Sequence, residues 1–190
     1  MILAHLKQAT RARHAAIESQ SVLLDRNLSR TTYHACLRRF LGYYAPLELS
    51  LLGPHPWLAT GLTYEDRRKS QLLTQDLLAL GDTSSALALA PQCHALPDLS
   101  TPARLFGCLY VIEGATLGGQ IISRYLLARL GLTPQSGCSF FRGYGERTGS
   151  QWKAFGAHLT RFASQSARDE EIVAGANDTF ETLSCWLYPA

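Results

Sequence analysis

Tyr110-Val111-Ile112-Glu113-Gly114-Ala115-Thr116-Leu117-Gly118-Gly119-Gln120 lies in the middle of an apolar stretch that opens at Thr101-Pro102 and closes at Gly131. Threonine before proline starts a helix, because the hydroxyl caps orphan amides and the missing proline N–H falls where none is needed. Glycine after the last apolar residue stops one. The stretch therefore predicts a helix from Pro102 to Leu130, the longest in the chain. Three glycines in six positions weaken it by about 3 kcal/mol relative to alanine, so some contact must offset them. Gly114 and Gly118 are four apart and share a face, where bare backbone admits a flat ligand or a second helix. The adjacent Gly119 adds freedom to kink.

Outward from that helix, Gly and Pro divide the chain into about six helical segments. One runs from Leu3 to Ser19. A second starts at Ser29-Arg30-Thr31-Thr32, continues through Tyr33, Leu37, Phe40, Leu41 and Tyr44, and is expected to kink or break at Pro46. After a turn at Gly53-Pro54-His55-Pro56, a third runs from Glu65 to Leu80 and stops at Gly81. Residues 82–99 read as a long connection with one short helical turn around Ala86–Leu89. Beyond the glycine-rich helix, a link from Gly137 to Gly149 leads to helices over Ser150–Ser164 and from Arg168 toward Leu187. Composition agrees: 32 Leu and 23 Ala stand against 3 Val and 6 Ile in 190 residues, which favours helix and leaves little for a sheet. The expectation is one all-α, single-domain helical bundle over residues 1–190.

The 46% apolar and 17% charged composition excludes a disordered tail. Glu113, Gln120, Arg124 and Arg129 interrupt the longest apolar stretch, so no membrane span is expected, and the first residues lack the pattern of a secretory signal. A cytoplasmic, monomeric protein is expected. Five widely spaced cysteines form no Cys-x-x-Cys pair and read as reduced structural thiols. A net charge of +3 with scattered basic residues speaks against nucleic acid as a partner and leaves room for a small acidic ligand.

Near the amino terminus, Lys7, His14 and Glu18 recur at spacings of seven and four and so project from one side of the first helix. Glu18, one turn beyond His14, is placed to hold the second ring N–H and fix the tautomer, which suits an imidazole bound to a metal. Lys7 lies about 10.5 Å further back, within reach of an anionic group on the same ligand. An ordinary solvated helix face has the same spacing. The other histidines form no His-x-x-x-His or Glu-x-x-His pair.

Two blocks, Leu6-Lys7-Gln8-Ala9-Thr10-Arg11-Ala12-Arg13-His14 with Glu18, and Tyr110 through Gln120, resemble the heme oxygenases. The Glu-Gly-x-x-Leu-Gly-Gly form looks most like the bacterial members that accompany bacteriophytochromes. The resemblance implies a heme-oxygenase-like bundle with heme between the first and fourth helical segments. His14 would be the iron ligand, Glu18 its support, and Gly114, Gly118 and Gly119 the opposite wall. It further implies Lys7, Tyr110 and Lys153 as contacts to the heme propionates; Glu113 or Thr116 is left to substitute for the family's distal aspartate in organising water. Heme would be cofactor and substrate, opened by O2 and electrons from an external donor, such as ferredoxin or a reductase, to biliverdin, CO and ferrous iron. Two positions depart from the pattern: Ala115 stands where many members carry a distal aspartate, and Ala157 where related enzymes place a basic propionate contact, leaving Arg161 or Arg142 to serve. Competing readings are a non-catalytic heme or bilin carrier and a non-heme enzyme of the same helical superfamily.

Overall fold

A computed structural model describes residues 1–53 and 62–189; the turn read at Gly53-Pro54-His55-Pro56 falls largely outside the described residues. These form nine α-helices and no strand: α1 (Ile2–Ala9), α2 (Arg11–Gln20), α3 (Arg30–Leu51), α4 (Ser70–Ala79), α5 (Ser84–Ala88), α6 (Pro102–Leu130), α7 (Ser139–Arg142), α8 (Thr148–Ser166) and α9 (Asp169–Leu187). The all-α expectation holds.

Helix α6 is the axis. The Thr101 hydroxyl accepts from the Arg104 N–H at its start, and Gly131 ends it in the left-handed region at φ +66°. Its apolar faces pack on α9, α8 and α7. Where α6 crosses α9 the two backbones touch: a Cβ on Gly107 would come within 2.1 Å of the Ile172 carbonyl oxygen, and one on Gly175 within 2.5 Å of the Arg104 carbonyl oxygen. Among the described residues α6 is also the one helix long and apolar enough to cross a membrane, but half of its most apolar window is buried within the bundle.

Three helices differ from expectation, each for a local reason. The first segment is two helices bent at Thr10, whose hydroxyl donates to the Leu6 carbonyl at 2.8 Å and competes with the helical ladder. Helix α3 runs unbroken through Pro46. The Gly42 carbonyl, which a residue 46 N–H would otherwise satisfy, accepts instead from the Cys93 N–H at 2.8 Å. The third segment shrinks to a 3₁₀ turn at Glu65–Arg67 followed by α4. There the buried Glu48 carboxylate takes the Lys69 and Ser70 N–H groups and the Ser70 hydroxyl, capping α4 from α3.

Candidate functional site

Helix α2 buries none of its ten residues, which is unusual for an element inside a bundle. Arg13 ties it to α9, reaching Asn177 at 3.3 Å and Glu181 at 3.6 Å. Its connection to α6 is made at two ends. Near the start, Tyr110 of α6 stands half-buried close to Thr10, and burial pushes the phenol above its usual range, which keeps it protonated. Past the far end, the Tyr125 hydroxyl donates to the Asp25 carbonyl at 2.7 Å. The two tyrosines, fifteen residues or about 22 Å apart along α6, bracket Gly114 and Gly118 on one side and His14 and Glu18 on the other.

His14 is more than half exposed, at 57%, and touches the bundle through the edge of Phe180, with ring centroids 5.7 Å apart. Its Nδ1 lies 3.5 Å from Glu18 Oε2, which leaves Nε2 as the nitrogen available to a ligand.

The stretch of α6 beside this helix exposes Ala115, Leu117, Gly118 and Ile121, an apolar strip on the central helix of the fold. A Cβ on Gly118 would meet no atom within 4 Å, and one on Gly114 would meet the Trp152 ring at an ordinary 3.7 Å. Neither glycine is therefore required by packing within the protein. Gly119 differs: a Cβ there would lie 2.8 Å from the Phe141 carbonyl, so its missing side chain lets α7 approach. The two readings of the glycine run thus divide by position, with Gly119 serving a close backbone contact and Gly118 facing open space.

Lys7 and Lys153 are exposed, and neither has an ion-pair partner among the described residues. Lys153 lines an open groove of about 660 Å³ between α1 and α8, with Trp152, Ala157 and Arg161. Trp152 joins this groove to the Tyr110 ring, 5.8 Å away. Arg161 faces the groove one turn beyond Ala157, whereas Arg142 folds over Gly145 in its own loop.

Thr116 and Glu113 are both committed elsewhere. The Thr116 hydroxyl donates to the Glu113 carbonyl at 2.6 Å, inside α6. The Glu113 side chain, 1% exposed, turns into the core, where Arg67, Lys69 and Tyr144 hold it. Sequence reading missed these partners, which come from residues 44 to 46 positions upstream and 31 downstream. Among the described residues no three His, Cys, Asp or Glu side chains gather as they would around a protein-held metal.

Known proteins resemble this chain in sequence and in fold. A family model described as heme oxygenase matches residues 1–188. A heme oxygenase from Xanthomonas campestris pv. campestris (strain 8004) is 31% identical over 159 residues, covering 81% of this chain and 87% of that protein. The heme oxygenase of Leptospira interrogans superposes with a TM-score of 0.77 at 18% identity over 100% of this chain and 99% of its own. Heme oxygenase-1 from the cyanobacterium Synechocystis sp. PCC6803, solved in complex with heme, does so at 0.72 and 19% identity, over 98% and 90%. The chain belongs to the heme oxygenase family.

Proposed function

We propose that the chain binds heme between α2 and α6 and, with O2 and electrons from an external donor, opens the ring to biliverdin, CO and ferrous iron. The observation that carries this reading is the pairing of an exposed, carboxylate-oriented imidazole on a helix that buries nothing with a bare, apolar strip of the central helix. An apolar strip left open on the axis of a bundle is uncovered surface, and a flat macrocycle covers it where any side chain at 118 would stand in the way.

Heme, when bound, supplies the iron that activates O2 and the meso carbon that is oxidised. The chain supplies position and electrostatics. His14 Nε2 would ligate the iron, while Glu18 fixes the Nδ1–H tautomer and the ring's direction. Lys7 and Lys153 would hold the propionates, with Arg161 beyond Ala157 as a third cation. Tyr110, half-buried beside Thr10, fills the space between the two helices at that end. Gly114 and Gly118 bring main chain up to the ring, and the apolar residues Leu117 and Ile121 keep bulk water from it. The remaining parts of the proposal are a ferredoxin or reductase as electron donor, the α-isomer of biliverdin as product, delivery of that bilin to a bacteriophytochrome, a monomeric state and a cytoplasmic location.

One observation favours a second reading. Ala115 offers no acid, and Glu113 and Thr116 both turn away from the slot, so none of the three organises water there. A heme carrier without ring-opening activity fits that arrangement. Aerobic addition of ascorbate or reduced ferredoxin to the hemin-loaded protein separates the two: the Soret band is expected to bleach as bilin absorbance near the red end rises. A stable Soret band with no bilin would leave the carrier.

A further inference from the structure

The glycine segment of α6 is pinned at both ends and opens to free space at Gly118. At its C-terminal end Gly119 rests on the Phe141 carbonyl, and Gln120 Nε2 donates to the Arg142 carbonyl at 2.8 Å. At its N-terminal end stands the buried Glu113. One of its carboxylate oxygens takes Arg67 at 2.5 Å, the other takes Lys69 at 3.4 Å, and the Tyr144 hydroxyl lies 2.9 Å and 3.1 Å from the two. Lys69, 2% exposed, also donates through Nζ to the Arg67 carbonyl at 2.6 Å and to the Tyr144 hydroxyl at 2.7 Å. Burial lowers the Lys69 ammonium below its usual range, with Glu113 opposing it, and raises the Tyr144 phenol, which stays protonated and donates to the carboxylate.

A cluster of this kind is a weak source of stability, since apolar side chains of similar volume would serve the core at least as well. Its distinctive product is direction. Three donors from two segments, residues 67–69 and Tyr144, hold one carboxylate at fixed angles, so α6 cannot roll about its axis without breaking charged hydrogen bonds in a low-dielectric site. Arg67 also reaches Gln151 at 3.5 Å, the residue just before Trp152 and Lys153. The bare wall at Gly114 and Gly118 and the cation of the α8 groove are thereby referred to one anchor.

We propose that Glu113 is a positioning residue that fixes the roll of α6, and with it the height of Gly114 and Gly118 over the bound macrocycle and the register of Lys153 at its edge. This rests on the heme-binding reading above. Neither Glu113 nor its partners touches the ligand; the effect passes through the helix and through Gln151.

The test compares the wild-type chain, Glu113→Gln, which keeps the shape but leaves two buried cations unbalanced, and the double variant Glu113→Gln with Lys69→Met, which restores the cluster's net charge. In the hemin-free proteins, amide exchange over residues 113–119 should quicken at least tenfold in the single variant, with α4 as reference, and stay quick in the double variant, which regains the charge balance but not the held carboxylate; recovery there would overturn the proposal. With one equivalent of hemin, the single variant should still saturate but show a shifted ferric Soret band. On turnover it should give a mixture of bilin isomers where wild type gives one. Should Glu113→Gln fail to fold, Glu113→Asp, which withdraws a retained charge by one methylene, carries the same comparison. A lower melting temperature with unchanged segment exchange, Soret position and isomer pattern would overturn the proposal and leave Glu113 a structural residue. A wild-type chain that takes up no hemin would remove the heme-binding reading, while the exchange measurement would still decide whether Glu113 orders the segment.

Discussion

His14→Ala is expected to weaken hemin binding by about 100-fold or more while leaving the fold intact. Loss of a carboxylate that merely orients a metal-bound histidine typically costs 10–100-fold, so removal of the ligand itself belongs at or beyond the top of that range. His14 contributes little to the bundle, being 57% exposed and in contact through Glu18 and the edge of Phe180. Surface substitutions of this kind lie within roughly 0.5 kcal/mol, so the melting temperature should move by no more than about 2 °C. The ferric Soret and ferrous–CO bands of any residual complex should change, because the iron loses its imidazole, and added free imidazole should restore them. Unchanged bands in the variant would show that another group holds the iron.

The second large effect separates two kinds of glycine on one helix. Gly118→Leu replaces a helix-weakening residue at a point where the protein leaves open space, so the hemin-free variant should melt at or above the wild-type temperature; the propensity gain is about 1 kcal/mol. The same side chain fills the slot, and hemin affinity should fall at least about tenfold, or ~1.4 kcal/mol. Gly107→Ala should do the reverse. Its Cβ would sit 2.1 Å from the Ile172 carbonyl, and overpacking backbone against backbone costs about 3 kcal/mol, lowering the melting temperature by roughly 6–12 °C. Thermal melts with and without hemin read both effects at once. A Gly118→Leu protein that binds hemin as wild type does would place the ligand elsewhere.

These contrasts also mark how far sequence carries. Helix α6 was legible to the residue at both ends, because Thr101-Pro102 and Gly131 act through local capping chemistry that needs no tertiary partner. The pairing of His14 with Glu18 was legible for the same reason, as one helical turn brings them together. The breaks were not. Pro46 reads as a stop only while the Gly42 carbonyl lacks a donor, and the donor is Cys93, 51 residues away. Lys69 reads as the interior of a helix until Glu48 and Glu113 take its N–H and its ammonium from α3 and α6. Gly118 and Gly119 look alike in the chain, and only the arrival of Phe141 from α7 tells them apart. Long-range contacts decided each of these positions, and short-range pattern holds no trace of them.

The central claim is that a flat iron macrocycle lies between the imidazole of α2 and the bare backbone of α6. Spectrophotometric titration of the purified wild-type chain with hemin tests it most directly. A new, sharpened Soret band that grows linearly and stops at one equivalent is the predicted result; absorbance that tracks free hemin at every addition would contradict it.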